Sequence, residues 1–153
     1  AAIRKHGLKF LVIDDLRSYA LSMIKFLKDP CVTAKITYHL KQLCEKFKIP
    51  ILCTLKLGAS ADQHKDNMPR LTDINPEYGC VENADVIIFL SRPSFYFKPE
   101  DFDDDGEFDE DFYKSACVQV ERHRNGPTGS VTLRYEQNIG RYFNMMEWDV
   151  EYN

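Results

Sequence analysis

Lys9-Phe10-Leu11-Val12-Ile13-Asp14-Asp15, residues 9–15, is an apolar run of strand length that ends in two carboxylates. A run without polar alternation is typical of a strand buried on both faces, as in a parallel sheet. Ligands of α/β sheets lie at the carboxyl ends of the strands. Asp14 is therefore a candidate for holding Mg²⁺ through water. Asp14 and Asp15 are equally suited to cap the helix that follows.

Outward from this run, the spacing of apolar residues predicts alternating helices and strands. A helix is expected from Ser18 to about Lys28, and a second helix begins near Val32 with one apolar stripe. Two further apolar runs, Ile49–Leu57 and Ala84–Ser91, predict buried strands. These segments together indicate parallel β/α units.

The last third of the chain has a different pattern. Ser115–His123 and Val131–Tyr135 alternate between apolar and polar residues, as half-exposed strands do. Asn125–Gly129 is a dense turn signal between them, and Gly140–Asn144 predicts another short strand. The predicted fold class is therefore α/β, with a parallel sheet flanked by helices and a C-terminal antiparallel meander.

Composition places the chain among soluble globular proteins. Its 153 residues suffice for one domain, with 44% hydrophobic and 29% charged residues. The longest apolar runs, such as Val86–Leu90, are too short to cross a bilayer, and no signal-peptide pattern follows the N-terminus. We therefore expect a cytoplasmic location and no membrane partner. The five cysteines form no C-x-x-C pair and are predicted to be buried free thiols.

Two long polar segments separate the predicted elements. Residues 58–80 include His64, Lys65 and Arg70, which either contact a phosphate backbone or belong to a solvated loop. Residues 99–111 hold most of the excess acid behind the net charge of −4. Part of that segment matches half of a calcium loop, but a solvated acidic loop is the better interpretation because the glutamate that would complete the site is missing. Outside it the chain is mildly basic, so a nucleic-acid partner remains open.

The segment Arg122-His123-Arg124-Asn125-Gly126-Pro127-Thr128-Gly129 places two guanidiniums just before a tight turn. Side chains two apart on a strand share a face, so both arginines can be presented to one phosphate. No G-x-x-x-x-G-K-[ST] sequence occurs in the 153 residues, and no phosphate-cradling loop can be assigned. By itself the chain is not expected to bind a nucleotide tightly.

Taken together, these segments resemble one family, the C-terminal ATPase domain of DnaB-type replicative DNA helicases. Residues 7–16 resemble its Walker B strand, and residues 122–129 are close to its K-x-R-N-G-P-T-G turn. Further similar segments are residues 36–43 and 48–51 (its next helix and strand), 71–74 and 79–92 (its DNA-loop region and following strand) and 141–143 (its terminal strand). The resemblance covers nearly the whole chain.

The resemblance implies a partial RecA-like P-loop NTPase fold over residues 1–153, from the Walker B strand onward. It implies a hexameric ring of identical subunits that uses ATP and Mg²⁺ to translocate on single-stranded DNA and unwind duplex DNA during replication. ATP lies between subunits in such rings. Asp14 would be the Mg²⁺-associated aspartate. Arg124 would be the arginine finger that reaches the neighbour's γ-phosphate, with Arg122 in the place of the family's usual lysine.

The chain departs from the family at several positions. Lys56 stands where the family has a glutamine that senses the γ-phosphate, so it would be a modified phosphate sensor. Gly58 and Ala59 replace the polar and basic residues expected next. Lys65 and Arg70 are the candidate DNA contacts of this region.

The P-loop and the catalytic glutamate lie upstream of the Walker B strand in this family. The sequence therefore resembles a C-terminal fragment or a truncated gene, and the isolated chain is expected to be inactive. Whether it is an enzyme stays open. One alternative is a non-catalytic helicase-like remnant that acts as a DNA-binding or protein-interaction module. Another is a RecA-like recombination ATPase, which would form filaments on DNA instead of closed rings.

Overall fold

The computed structural model describes residues 5–27, 31–58, 64, 68–98 and 109–145, with side chains for these except residues 23–27. The described residues form two compact units. The first unit comprises those up to Gly58 together with Leu71–Ala84, and the second unit comprises the others. No helix within the described residues is long and apolar enough to span a membrane.

The first unit is built on two short parallel strands. Strand β1 (Leu11–Ile13) pairs with β2 (Ile51–Cys53), in the register that aligns their first and last residues. Helices α1 (Leu16–Leu27) and α2 (Val32–Phe47) lie between these strands in sequence. The predicted order and the parallel pairing are confirmed, whereas both strands are shorter than predicted.

Burial in the first unit differs from the prediction. The core contains Leu16 and Ala20 of α1 and Val32 of α2. The central residues of the two strands, Val12 and Leu52, are 51% and 49% exposed. The prediction that these strands are buried on both faces is therefore wrong, because within the described residues each strand has only one covered face.

A segment expected to be loop is partly ordered into short helices. Two 3-10 helices (Leu71–Asp73 and Pro76–Tyr78) precede α3 (Cys80–Asn83). The hydroxyl of buried Thr37 in α2 donates to the carbonyl oxygen of Tyr78 at 3.0 Å. It accepts a hydrogen bond from Asn83 Nδ2 at 3.1 Å. These bonds attach the end of the segment to α2.

The second unit is an antiparallel sheet in the order β3-β4-β5-β6. Its strands are β3 (Val86–Ser91), β4 (Ser115–His123), β5 (Gly129–Glu136) and β6 (Arg141–Asn144). The predicted meander is confirmed. The assignment of β3 to the parallel part is wrong, because β3 is hydrogen-bonded antiparallel to β4.

The short helices α4 (Pro93–Tyr96) and α5 (Glu110–Tyr113) lie within the predicted loop 92–113. Side chains of β3 alternate in burial, with Ile87 and Phe89 buried and Ile88 and Leu90 about half exposed. Like β1 and β2, β3 was predicted from a continuous apolar run but has only one covered face among the described residues.

None of the five cysteines, all of which the structure describes, is in a disulfide, as predicted, but they are less buried than predicted. Cys31 is exposed and the other four are half-buried. Burial raises the pKa of Cys53, and it raises the pKa of Cys80 to about 11, with smaller contributions from the neighbouring Cys53 and Glu82. Both thiols are therefore neutral at physiological pH.

Candidate active site

The two consecutive aspartates after β1 have separate roles. Asp15 Oδ1 accepts the backbone N–H of Ser18 at 2.6 Å, and the Asp15 carbonyl accepts the N–H of Tyr19 at 3.1 Å. Asp15 is therefore the N-cap of α1. The hydrogen bond from the Ser18 N–H is the main reason that the pKa of Asp15 lies below its usual value. The sequence left the helix cap open between Asp14 and Asp15, and the structure assigns it to Asp15.

Asp14 contacts a residue on the neighbouring strand. The hydroxyl of Thr54 donates a hydrogen bond to Asp14 Oδ1. The main chain of Thr54 joins the same elements, because its N–H donates to Ile13 O at 3.0 Å and its carbonyl accepts from the N–H of Leu16 at 2.9 Å. Thr54 therefore fixes the orientation of Asp14 at the carboxyl end of the paired strands.

Sequence reasoning missed Thr54, although a signal was present. It is the first hydroxyl residue after the apolar β2, at the carboxyl end of the second parallel strand. Ile13 pairs with Cys53, so the residues that follow each of them are level across the sheet. That register could not be read before the strand pairing was known.

Lys56 lies two residues beyond Thr54 and is exposed. Its positive charge contributes to lowering the pKa of Asp15, after the stronger effect of Ser18. The lysine is therefore electrostatically coupled to this end of the sheet. Asp14, Thr54 and Lys56 together present oxygen ligands and a cation at the carboxyl ends of β1 and β2, the edge where α/β sheets bind ligands.

The donors at this edge decide which metal chemistry it can support. Among the residues that the structure describes, no group of three or more His, Cys, Asp or Glu side chains could hold a metal ion. Mg²⁺ in phosphate-binding sites usually keeps several waters and uses one or two carboxylates plus the phosphates. A single exposed carboxylate held by a hydroxyl, as Asp14 is, fits that mode of binding.

The paired arginines lie at the end of β4 that projects beyond β5. Pairing of β4 with β5 stops at Val120 and Gly129, whereas pairing with β3 continues as far as His123. A register shift between Ile87 and Ile88 marks a β-bulge in this stretch. Among the strands that the structure describes, β3 alone therefore supports the last residues of β4.

Arg124 is attached to the residue that precedes β3. Its N–H donates to the carbonyl oxygen of Asp85 at 2.8 Å, and its Nε lies 3.4 Å from Asp85 Oδ1. Arg122 is opposite Ile87 and Arg124 is opposite Asp85, two residues apart on each strand. This register supports the prediction that the two arginines share a face. Asp85 itself was not predicted as part of the site.

The turn after Arg124 is closely packed. Nδ1 of His123 lies 3.3 Å from the carbonyl oxygen of Pro127, and a Cβ atom on Gly126 would overlap the His123 imidazole. A side chain at position 126 would therefore require the exposed His123 imidazole to move. The packing fixes where the chain leaves β4 and thus where Arg124 is presented.

The candidate residues fall in both units. Asp14 and Lys56 belong to the first unit, whereas Arg70, Arg122 and Arg124 belong to the second unit. Arg70 is exposed. Lys65 and residues 99–108 of the acidic segment lie outside the described residues.

Parallel strands that end in an oriented aspartate, followed by an antiparallel meander with an arginine turn, define a partial RecA-like α/β domain. The chain belongs to the DnaB-like helicase C-terminal domain family, whose model matches residues 1–144. The resemblance identified from the sequence is thereby confirmed.

Curated relatives include the replicative DNA helicase DnaB of Mycobacterium leprae, 31% identical over 144 residues, which are 93% of this chain and 22% of the relative. The replicative DNA helicase DnaB of Rickettsia prowazekii is 27% identical over 149 residues, 93% of this chain and 30% of that protein. The chain thus spans less than a third of the length of these relatives.

Solved structures support the fold. One solved ATPase domain aligns with a TM-score of 0.62 and 24% identity, covering 74% of this chain and 37% of that chain. A DnaB-like replicative helicase, solved to show its interactions with primase, aligns with a TM-score of 0.60 and 24% identity over 73% of this chain and 25% of its own. The partial RecA-like fold is confirmed.

Proposed function

We propose that the chain is part of an ATP-dependent replicative DNA helicase, which unwinds duplex DNA by translocating on single-stranded DNA. Family membership over residues 1–144 is the observation that carries this proposal. ATP is hydrolysed between subunits of a hexameric ring. A function on replicating DNA implies a cytoplasmic protein without a membrane partner.

Asp14 is the residue proposed to hold Mg²⁺. The Thr54 hydroxyl keeps one carboxylate oxygen in place and leaves the second oxygen for the ion's water shell. When bound with ATP, Mg²⁺ supplies charge neutralisation of the phosphates. Lys56 places a cation on the same edge, where it contacts the terminal phosphate in place of a neutral sensor. A lysine donates hydrogen bonds but cannot accept them, so its contact is purely cationic.

Arg124 and Arg122 are proposed to act on the neighbouring subunit's ATP. Negative charge spreads over the transferred phosphoryl group in the transition state, and a guanidinium stabilises it. Arg124 is exposed at the projecting end of β4, where a ligand from outside the subunit can reach it. Lys65 and Arg70 are proposed to contact the DNA backbone through its phosphates.

The first experiment uses the isolated 153-residue chain. It contains no P-loop sequence, so we expect no release of phosphate from ATP above background. A phosphate-release assay with Mg²⁺ and single-stranded DNA checks this. ATP hydrolysis that co-purifies with the isolated chain and is absent from its Arg124→Ala variant would contradict the proposal that the active site is shared between two subunits.

The second experiment uses the whole helicase subunit that carries this segment. Arg124→Ala is expected to lower kcat for ATP hydrolysis by about 10³ or more while ATP binding stays nearly intact. Rings mixed from Asp14→Ala and Arg124→Ala subunits should regain activity, because some interfaces then combine an intact Asp14 with an intact Arg124. Mixed rings as inactive as either parent would refute action between subunits.

A non-catalytic DNA-binding or protein-interaction module is the second candidate. The observation that favours it is Lys56 in the position of the family's γ-phosphate sensor. This alternative predicts that the whole subunit binds single-stranded DNA without ATP-dependent unwinding. Strand separation that requires ATP would exclude it.

A further inference from the structure

We propose that Asp85 is a positioning residue for Arg124, holding its guanidinium at the end of β4 until the phosphate of the neighbour's nucleotide replaces the carboxylate. This inference rests on the proposed function, because it gives Arg124 its phosphate partner. Neither the sequence pattern nor the family match assigns a role to Asp85.

Asp85 contacts Arg124 in two separate ways. Its carbonyl oxygen accepts the Arg124 N–H at 2.8 Å, and its carboxylate oxygen Oδ1 lies 3.4 Å from Arg124 Nε. The first contact extends the β3–β4 pairing by one residue and fixes the main chain. The second contact orients the side chain, so the backbone and the guanidinium can be perturbed independently.

The exposure of the pair suits an exchangeable contact. The side chains of Arg124 and Asp85 are 40% and 44% exposed. An ion pair at this exposure is weak, because water screens it and both side chains lose freedom in forming it. A phosphate carries more charge than a carboxylate and binds the arginine fork with several oxygens. The guanidinium can therefore leave Asp85 for phosphate without a large penalty.

The position of Asp85 also explains why a short acidic side chain serves here. It lies directly before β3 and directly across from Arg124, with only one methylene between its main chain and its carboxylate. The short side chain keeps the carboxylate close to the main chain opposite Arg124. A rotatable arginine without this partner would sample many more directions, and fewer of them would face the neighbour's nucleotide.

The test uses Asp85→Asn in the whole helicase subunit, since asparagine keeps the shape and the backbone hydrogen bond but removes the charge. We expect kcat for ATP hydrolysis to fall about fivefold, as loss of one exposed ion pair allows, with KM for ATP changed less than about twofold. Asp85→Glu keeps the charge on a longer side chain, so its kcat should lie between those of the native subunit and Asp85→Asn. The double variant Asp85→Asn/Arg124→Ala should be no slower than Arg124→Ala alone.

A matched control is Asp111→Asn, which removes another exposed carboxylate of the same unit from its ion pair with Arg134 at 2.8 Å. It should leave kcat unchanged. An unchanged or raised kcat in Asp85→Asn, or additive effects in the double variant, would overturn the positioning role. If Arg124→Ala itself leaves hydrolysis unchanged, the proposed function fails instead.

A second measurement tests the contact between Arg124 and Asp85 without relying on ATP hydrolysis. In the 153-residue chain, the NMR signal of the Arg124 Nε–H group should shift in Asp85→Asn and stay in place in Asp111→Asn. A signal that is the same in the native chain and in Asp85→Asn would overturn the inference, whatever the outcome of the hydrolysis assay.

Discussion

Gly79→Ala tests how the segment before β3 is attached to α2. Gly79 has a φ of +62°, the left-handed region that L-residues seldom adopt. It lies between the second 3-10 helix and α3 and serves as the cap of both. A Cβ atom there would lie 3.1 Å from Thr37 Oγ1, 3.2 Å from Asn83 Nδ2 and 3.3 Å from the Cα atom of Ala34.

Two penalties add at this position. A non-glycine residue in the left-handed region destabilises the folded state by roughly 1–2 kcal/mol. Alanine also reduces the conformational entropy of the unfolded chain, which offsets roughly 0.4–1 kcal/mol of this penalty. Crowding adds about 1–3 kcal/mol, because the Ala34 Cα is backbone and cannot move aside easily. The hydroxyl and the amide are also held by their mutual hydrogen bond. We therefore expect Gly79→Ala to lower the free energy of unfolding by about 2–4 kcal/mol.

The chain supplies two matched controls for the conformational penalty. Gly7 and Gly140 have φ values of +61° and +63°, and no described atom lies within 4 Å of a Cβ built on either. Alanine at these positions should cost about 1 kcal/mol or less. The difference between Gly79→Ala and the controls isolates the crowding.

Urea unfolding followed by circular dichroism measures these differences in the 153-residue chain. Because the chain has two units, the transition of the first unit should shift in Gly79→Ala and the transition of the second should not. A second variant, Gly79→Ala/Thr37→Ala, compared with Thr37→Ala alone, tests whether the hydroxyl is the crowded group, because alanine removes Oγ1. If Gly79→Ala were no more destabilising than Gly7→Ala, the described packing of residues 71–83 on α2 would be wrong.

Three further predictions concern single side chains. Asp15→Ala should lower the thermal midpoint more than Asp15→Asn, which keeps the cap. Folding lowers the pKa of Asp15 below its usual value of 3.8, so the stability that the carboxylate contributes should be lost as pH falls from about 3.8 through the lower folded pKa, which acid unfolding of both variants checks. The pKa of Cys80 is raised by folding from 9.0 to about 11, so stability should fall as pH rises through that interval, and Cys80→Ala should show a smaller fall in alkaline urea titrations. In the whole helicase, Thr54→Val should raise the Mg²⁺ concentration needed for half-maximal ATP hydrolysis about tenfold, whereas Thr54→Ser, which keeps the hydroxyl, should not. An unchanged Mg²⁺ titration in Thr54→Val would show that the Thr54 hydroxyl does not orient Asp14 for the ion.

Element type and order could be predicted because they depend on local patterns. The apolar run ending at Asp14 predicted a parallel strand, and the turn at residues 125–129 predicted an antiparallel pair, and both were confirmed. The partner of β3 could not be predicted, because Val86–Ser91 is equally apolar whether its neighbour is parallel or antiparallel. Its alternating burial depends on what covers each face of the sheet, which local sequence does not encode.

The candidate site was predictable only where its chemistry coincides with a motif. Asp14 and Arg124 stand out because each ends a recognisable strand pattern. Thr54 and Asp85 do not, because a threonine or an aspartate at a strand end is common and serves many purposes. Their contacts come from strand register, which aligns Thr54 with Asp14 and Asp85 with Arg124. Candidates for positioning roles are therefore found from strand pairing and not from motifs.

The candidate residues of the two units share one local arrangement. After β1, Asp15 caps α1 while Asp14 meets Thr54. At the end of β4, His123 packs against the turn while Arg124 meets Asp85. In each pair one residue holds the chain and its neighbour offers the chemistry. Consecutive side chains of extended backbone point to opposite sides, so at the end of β4 His123 can contact the turn while Arg124 meets Asp85. Exchanging His123 and Arg124 should therefore cost both stability and the proposed chemistry, because neither side chain would meet its partner.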